Sequence, residues 1–186
     1  MYNQTSGLLR VAFVVWCPLL QQAFHSHMEL SRAYLNTFIS RQLKQLIAQG
    51  EGVARLLPLF SMPEFFHRQS AFGFVDNMYT LSAFVHGYAS KPDMGYLVNA
   101  YSTALFALQL RCWDEWVPSD ANISDLPSRL EYDKYYEYFP DSIWVEPVLP
   151  DLTRWGASLT QLQDLLRSRG TSMSQLRRMV QEHKRK

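Results

Sequence analysis

Residues 61–116 read SMPEFFHRQSAFGFVDNMYTLSAFVHGYASKPDMGYLVNAYSTALFALQLRCWDEW, and this stretch decides the fold. Phe65, Phe66, Phe72, Phe74, Met78, Tyr79, Leu81, Phe84, Val85 and Tyr88 crowd its first half. After Ser90-Lys91-Pro92-Asp93 it resumes with Met94, Leu97, Val98, Tyr101, Leu105, Phe106, Leu108 and Leu110. The pattern predicts two helices at the centre of a core, with Leu97, Tyr101, Leu105 and Leu108 on one buried face. The second helix is apolar almost all round at 104–108, so it should be the most buried. Ser61-Met62-Pro63-Glu64 has the form of a capping box for the first helix. Gly73 marks a kink within it. Ser90 is the expected cap of the second, with Asp93 in its first turn, where the helix dipole favours an anion.

Working outward, residues 5–24 read as a helix that ends or kinks near Pro18. The competing reading is a strand over 9–16, because Val11, Phe13, Val14, Val15 and Trp16 are good strand formers. Residues 27–49 carry Leu35, Phe38, Ile39, Leu43, Leu46 and Ile47 at spacings of three and four, which predicts an amphipathic helix. Gly50-Glu51-Gly52 would end it, since glycine accepts the left-handed conformation of a helix stop. Two short helices are expected at the end, over 159–169 and from 174 onward, with Leu176, Met179 and Val180 on one face of the second.

Residues 117–150 differ in kind. Five of the nine prolines fall there, with Tyr132, Tyr135, Tyr136, Tyr138, Phe139 and Trp144 among them. The prolines leave room for a helix only around 130–139. The aromatics make the segment too apolar for an inert linker. The expected fold class is therefore mainly α: a compact multi-helix domain with an irregular Pro- and Tyr-rich acidic meander and a C-terminal helical hairpin. Residues 1–116 would form the helical core, 117–150 the meander packed on it, and 151–186 the basic hairpin, within one domain overall.

The chain has 186 residues and a formal net charge of +1, but its charge is segregated. Residues 1–113 carry a net +3, 114–151 a net −8 and 152–186 a net +6. Blocks of opposite sign must face each other or something else. Cys17 and Cys112 read as reduced, buried thiols, which favours a cytoplasmic setting. The apolar run after Arg10 resembles a signal-peptide core, but Pro18, Gln21 and Gln22 interrupt it and no small-x-small cleavage site follows. No segment supplies eighteen clean apolar residues, so no membrane span is expected.

Chemistry was sought in four places. His25-Ser26-His27 with Glu29 could offer metal ligands if residues two apart faced one way, as on a strand or turn. No cysteine or further histidine stands nearby at zinc-like spacing, and the favoured reading is a surface loop before the helix at 27–49. His67 and His86 titrate in the neutral range when unperturbed. No acid or nucleophile accompanies them in recognisable order, so a small helical enzyme built on either ranks last. Asp114-Glu115 between Trp113 and Trp116 offers two carboxylates, but neighbours on a helix diverge by about 100° and would not face one substrate. The tail residues Arg177, Arg178, Lys184, Arg185 and Lys186 could meet phosphates.

Leu162-Gln163-Asp164-Leu165-Leu166-Arg167-Ser168-Arg169-Gly170 is similar to the first helix and turn of SAP-type DNA-binding motifs, and that resemblance implies contact with DNA. The second-helix signature of those motifs is not evident after Gly170. The same letters match an LxxLL partner-docking box, which implies a protein partner. Read by themselves, these residues give a helical hairpin with Leu162, Leu165 and Leu166 against the core.

The expected function is a non-catalytic protein–protein interaction module, a small helical adaptor or complex subunit, with no cofactor and no metal. Tyr132, Tyr135, Tyr136, Tyr138 and Trp144 are the candidate partner contacts, since interfaces favour tyrosine and tryptophan. A protein partner or a homo-oligomer is the expected association. The alternative is nucleic-acid binding through the basic hairpin, with Arg167, Arg169, Arg177, Arg178, Lys184 and Arg185 as the contacts, or the same residues on an acidic partner.

Overall fold

The computed structural model describes residues 9–39, 46–170 and 173–185. It corrects the mainly α expectation. The chain is mixed, 50% helical and 20% strand, with two small sheets.

The first correction falls at the N-terminal end. Strand β1 (Leu9–Cys17) and strand β2 (Gln22–Leu30) form an antiparallel hairpin, with Leu9 opposite Leu30 and Cys17 opposite Gln22. Pro18, expected to break a helix, opens the hairpin turn instead, and Gln21 turns the chain with a φ of 49°. The β-branched and aromatic run in β1 explains the strand, because those side chains suit a pleated, half-buried surface. Residues 5–8 lie outside the described residues.

The expected helix over 27–49 is likewise replaced. Its start belongs to β2, and a short helix α1 (Arg32–Leu35) follows, capped by the Ser31 hydroxyl accepting from Tyr34 N–H. Residues 40–45 lie outside the described residues. The long helix begins later, as α2 (Ile47–Ser61), with Gly50 and Gly52 inside it. These glycines serve close packing and do not stop the helix. A Cβ on Gly50 would stand 2.6 Å from Leu9 Cδ2, and one on Gly52 2.7 Å from Leu97 Cδ1. Ser61 closes α2: its hydroxyl donates to Leu57 C=O at 2.7 Å and accepts from Val148 N–H at 2.9 Å. It is not the first residue of a capping box.

Helix α3 (Pro63–Phe66) leads to strand β3 (Ser70–Val75), where a continuous helix was expected. Gly73 is a strand residue. Helices α4 (Met78–His86) and α5 (Pro92–Leu108) carry the crossover to strand β4 (Arg111–Trp116), which pairs with β3 in parallel. Parallel strands require such a crossover. Asn77, not Glu64, provides a cap of the expected kind, accepting from Thr80 N–H at 3.0 Å. Lys91 stands at the N-cap of α5 in place of Ser90, and Asp93 is in the first turn as expected.

Leu97, Tyr101 and Leu108 on α5 are buried with Leu56, Leu57, Leu59 and Phe60 of α2. Leu105 is only partly buried, and Phe106 is 83% exposed, so the stretch 104–108 is not buried all round.

The acidic segment is more regular than a meander. It contains a 3₁₀ turn (Ser119–Ala121), helices α6 (Asp125–Ser128) and α7 (Tyr132–Tyr138), and strand β5 (Ile143–Trp144). Strand β5 adds to the hairpin in parallel, giving the order β1-β2-β5. One face of that sheet meets the helical core, with Phe24 edge-on to Phe65. The acidic segment covers the other: Arg10 reaches Ser128 C=O and Trp16 packs on Phe139. Helices α8 (Ala157–Arg169) and α9 (Met173–His183) complete the chain, near the expected bounds. Val180 is buried, while the side chains of Leu176 and Met179 lie outside the described residues.

Candidate interaction surfaces

Strand geometry sets the first cluster. Residues two apart on a strand share a face, so His25 and His27 of β2 both point toward the acidic segment. They are not in a surface loop. His25 is buried, and its Nδ1 hydrogen-bonds Ser142 Oγ at 2.8 Å, which also pairs with the Tyr135 hydroxyl at 2.7 Å. His27 Nδ1 hydrogen-bonds the Tyr132 hydroxyl at 2.5 Å. The rings of Tyr132, Tyr135, Tyr136 and Trp144 lie 4.9–5.9 Å from the His25 ring. Burial, then the nearby His27, lowers the His25 pKa to about 4. A neutral imidazole satisfied by a serine hydroxyl is what such an apolar enclosure demands.

This geometry sorts the expected partner contacts. Tyr135 is fully buried and holds the sheet to α7, so it cannot meet a partner. Tyr132 is committed to His27. Tyr136, Tyr138 and Trp144 retain exposed surface on the outside of the layer. The tyrosines are first of all the second wall of the β1-β2-β5 sheet, which the sequence pattern concealed because the sheet itself was read as helix.

The second surface was missed from sequence. In register, Ser70 pairs with Arg111, Phe72 with Trp113 and Phe74 with Glu115, and all six are exposed. The rows between them, Ala71 with Cys112 and Gly73 with Asp114, point inward. The inner row is polar. Arg55 of α2 donates to Asp114 Oδ1 from Nε at 2.8 Å, and from its terminal nitrogen to the Tyr101 hydroxyl at 3.1 Å and Cys112 Sγ at 2.8 Å. The Tyr101 hydroxyl donates to Asp114 Oδ2. Both members of the ion pair are nearly enclosed, with side chains 11% and 5% exposed. Burial raises the pKa of Tyr101 and of Cys112, keeping both in their protonated forms.

The outer row is aromatic: Phe72 is 77% exposed, Phe74 62% and Trp113 65%. The strand pair thus turns its charge inward and its aromatic rings outward. The alternation of SAFGFV and RCWDEW carried the signal, since period-2 patterning marks a strand with two unlike faces. Asp114 and Glu115 do diverge, as adjacent strand residues on opposite faces. Glu115 accepts from the Trp113 indole N–H at 3.2 Å.

The basic residues are dispersed in role. Arg169 donates to Ser61 C=O at 2.6 Å and anchors α8 to the end of α2. Arg167 pairs with Asp164 one turn away. Arg177, Arg178, Lys184 and Arg185 are exposed. Leu162 is buried, and Leu165 and Leu166 pack partly on the core, so the LxxLL leucines serve the chain's own interior. His86 Nδ1 donates to Ser82 C=O at 2.8 Å within α4. Among the described residues, no group of three or more His, Cys, Asp or Glu is placed to hold a metal, and no helix is long and apolar enough to cross a membrane.

No known protein family, characterised protein or solved structure matches this chain.

Proposed function

We propose that this chain is a non-catalytic interaction module, a small subunit of a protein assembly, that docks through the outer face of β3 and β4. One observation carries the reading: the strand pair has its ion pair inside and Phe72, Phe74 and Trp113 outside. Two-stranded parallel sheets are marginal alone, and parallel sheets are ordinarily covered on both faces. Contiguous exposed aromatic surface marks protein contact sites. Tyr136, Tyr138 and Trp144 form a lesser exposed aromatic set on the far sheet. Within this reading the chain works in the cytoplasm, where the free thiols of Cys17 and Cys112 stay reduced.

Photo-crosslinking in the native source tests the reading. A photoreactive phenylalanine derivative replaces Trp113, and the same group in place of Leu19, exposed in the β1–β2 turn, sets the background. A discrete protein adduct from position 113 alone is the expected result. Adduct formation no greater than at position 19 would defeat the proposal.

A further inference from the structure

We infer that the occupant of the β3–β4 face is a second copy of this chain, stacked face to face about a two-fold axis that crosses the strands at the Phe72/Trp113 row. This rests on the docking role proposed for that face. The ends of the face carry opposite charges. Arg111 stands in the first row, beside Ser70, and Glu115 in the third, beside Phe74. Both are exposed. Successive residues on one strand face are about 6.6 Å apart, so the two charges bracket the aromatic row.

An isologous contact must be self-complementary. A two-fold axis across the strands reverses row order while keeping β4 over β4. It sets Arg111 of each copy over Glu115 of the other, with Trp113 and Phe72 meeting their own counterparts at the axis. An axis along the strands would place Arg111 over Ser70 and leave both charges without partners in a closing apolar surface, which is costly. Stacked sheets lie about 10 Å apart with strands nearly aligned. An arginine and a glutamate can span that gap together.

The area is consistent with this. At about 200 Å² each, the exposed fractions of Phe72, Phe74 and Trp113 amount to roughly 400 Å² per copy. That is about half of what one partner buries in a standard interface. Arg111, Glu115 and Ser70 extend it, and charge pairs at the rim fix the register.

Sedimentation velocity over a wide concentration range tests the inference, with circular dichroism as the check on folding. The wild-type chain should be a dimer, and Phe72→Ser with Trp113→Ser should make it a monomer. Charge variants supply the decisive arm. Arg111→Glu alone and Glu115→Arg alone should each weaken the dimer at least tenfold. The chain carrying both changes should recover it, because the swapped charges again face opposite signs. An equimolar mixture of the two single variants should form a heterodimer.

A wild-type chain that stays monomeric, or single variants that dimerise normally, would overturn the two-fold arrangement. If the wild-type is monomeric while position 113 crosslinks to a different protein, the second-copy inference falls and the docking role stands. If position 113 crosslinks to nothing and the chain is monomeric, both fall.

Discussion

Arg55 Nε donates to Asp114 Oδ1 at 2.8 Å directly beneath Gly73, the residue in register with Asp114 on the neighbouring strand. A helix is thereby fastened to the inner face of a strand pair by charge instead of by apolar packing. A Cβ at position 73 would collide with the Asp114 carboxylate and the Arg55 guanidinium.

Breaking this pair should be costly and replacing it should not. Asp114→Val alone leaves the Arg55 charge buried, and a loss of about 3–5 kcal/mol is expected by urea denaturation. Arg55→Met with Asp114→Val should cost no more than the worse single change, because no charge is then stranded. Additive losses would show that the two side chains act separately.

Tyr135 and Tyr136 are adjacent, yet they should behave oppositely. Tyr135 is enclosed between His25 and Phe139 and bonds Ser142, so Tyr135→Ala should destabilise by about 3–5 kcal/mol. Tyr136 is 41% exposed, and Tyr136→Ala should cost under about 1 kcal/mol. Equal effects in thermal or urea unfolding would contradict the placement of α7.

On α5, Leu97 is fully buried while Leu105 is only partly so. Leu97→Ala should cost about 2–5 kcal/mol. Leu105→Ala should cost clearly less, and Phe106→Ser should stay within about 0.5 kcal/mol in the isolated chain. Unfolding midpoints of the three variants check this ranking.

Stability should decline above neutral pH through Glu51. Burial, then the charges of Asp76 and Asp125, raises its pKa to about 8. The folded chain thus keeps a proton that the unfolded chain releases in the ordinary carboxyl range. The stability it contributes is complete below that ordinary range and is lost as pH rises through about 8. Between pH 6.5 and 8 the loss should be about 1–2 kcal/mol, and Glu51→Gln should remove that slope. His25 acts with the opposite sign: its depressed pKa contributes stability that is present above the ordinary histidine range and is lost as pH falls through about 4. A pH-independent urea midpoint from 6.5 to 8 in the wild-type chain would refute the Glu51 assignment.

Much that is local was legible in the sequence. The helix Pro92–Leu108 announces itself through Pro92, Asp93 and the spacing of Leu97, Tyr101 and Leu108. The hairpin of helices at the end follows from Gly170 and the leucine spacing. The helix around 132–138 fits the one gap the prolines leave. Each depends on capping, glycine placement or a 3.6-residue period, all carried by neighbours in sequence. Strand pairing is another matter. The residues QAFHSHMEL of β2 have little strand propensity, and β1 on one side with β5 on the other holds them extended. Ser142 and Ile143, more than a hundred residues away, decide what His25 does. The candidate surface was hidden for the same reason. Phe72, Phe74 and Trp113 read as core residues by hydrophobicity alone. Only the pairing of β3 with β4, and Arg55 filling the space beneath, turned those rings outward.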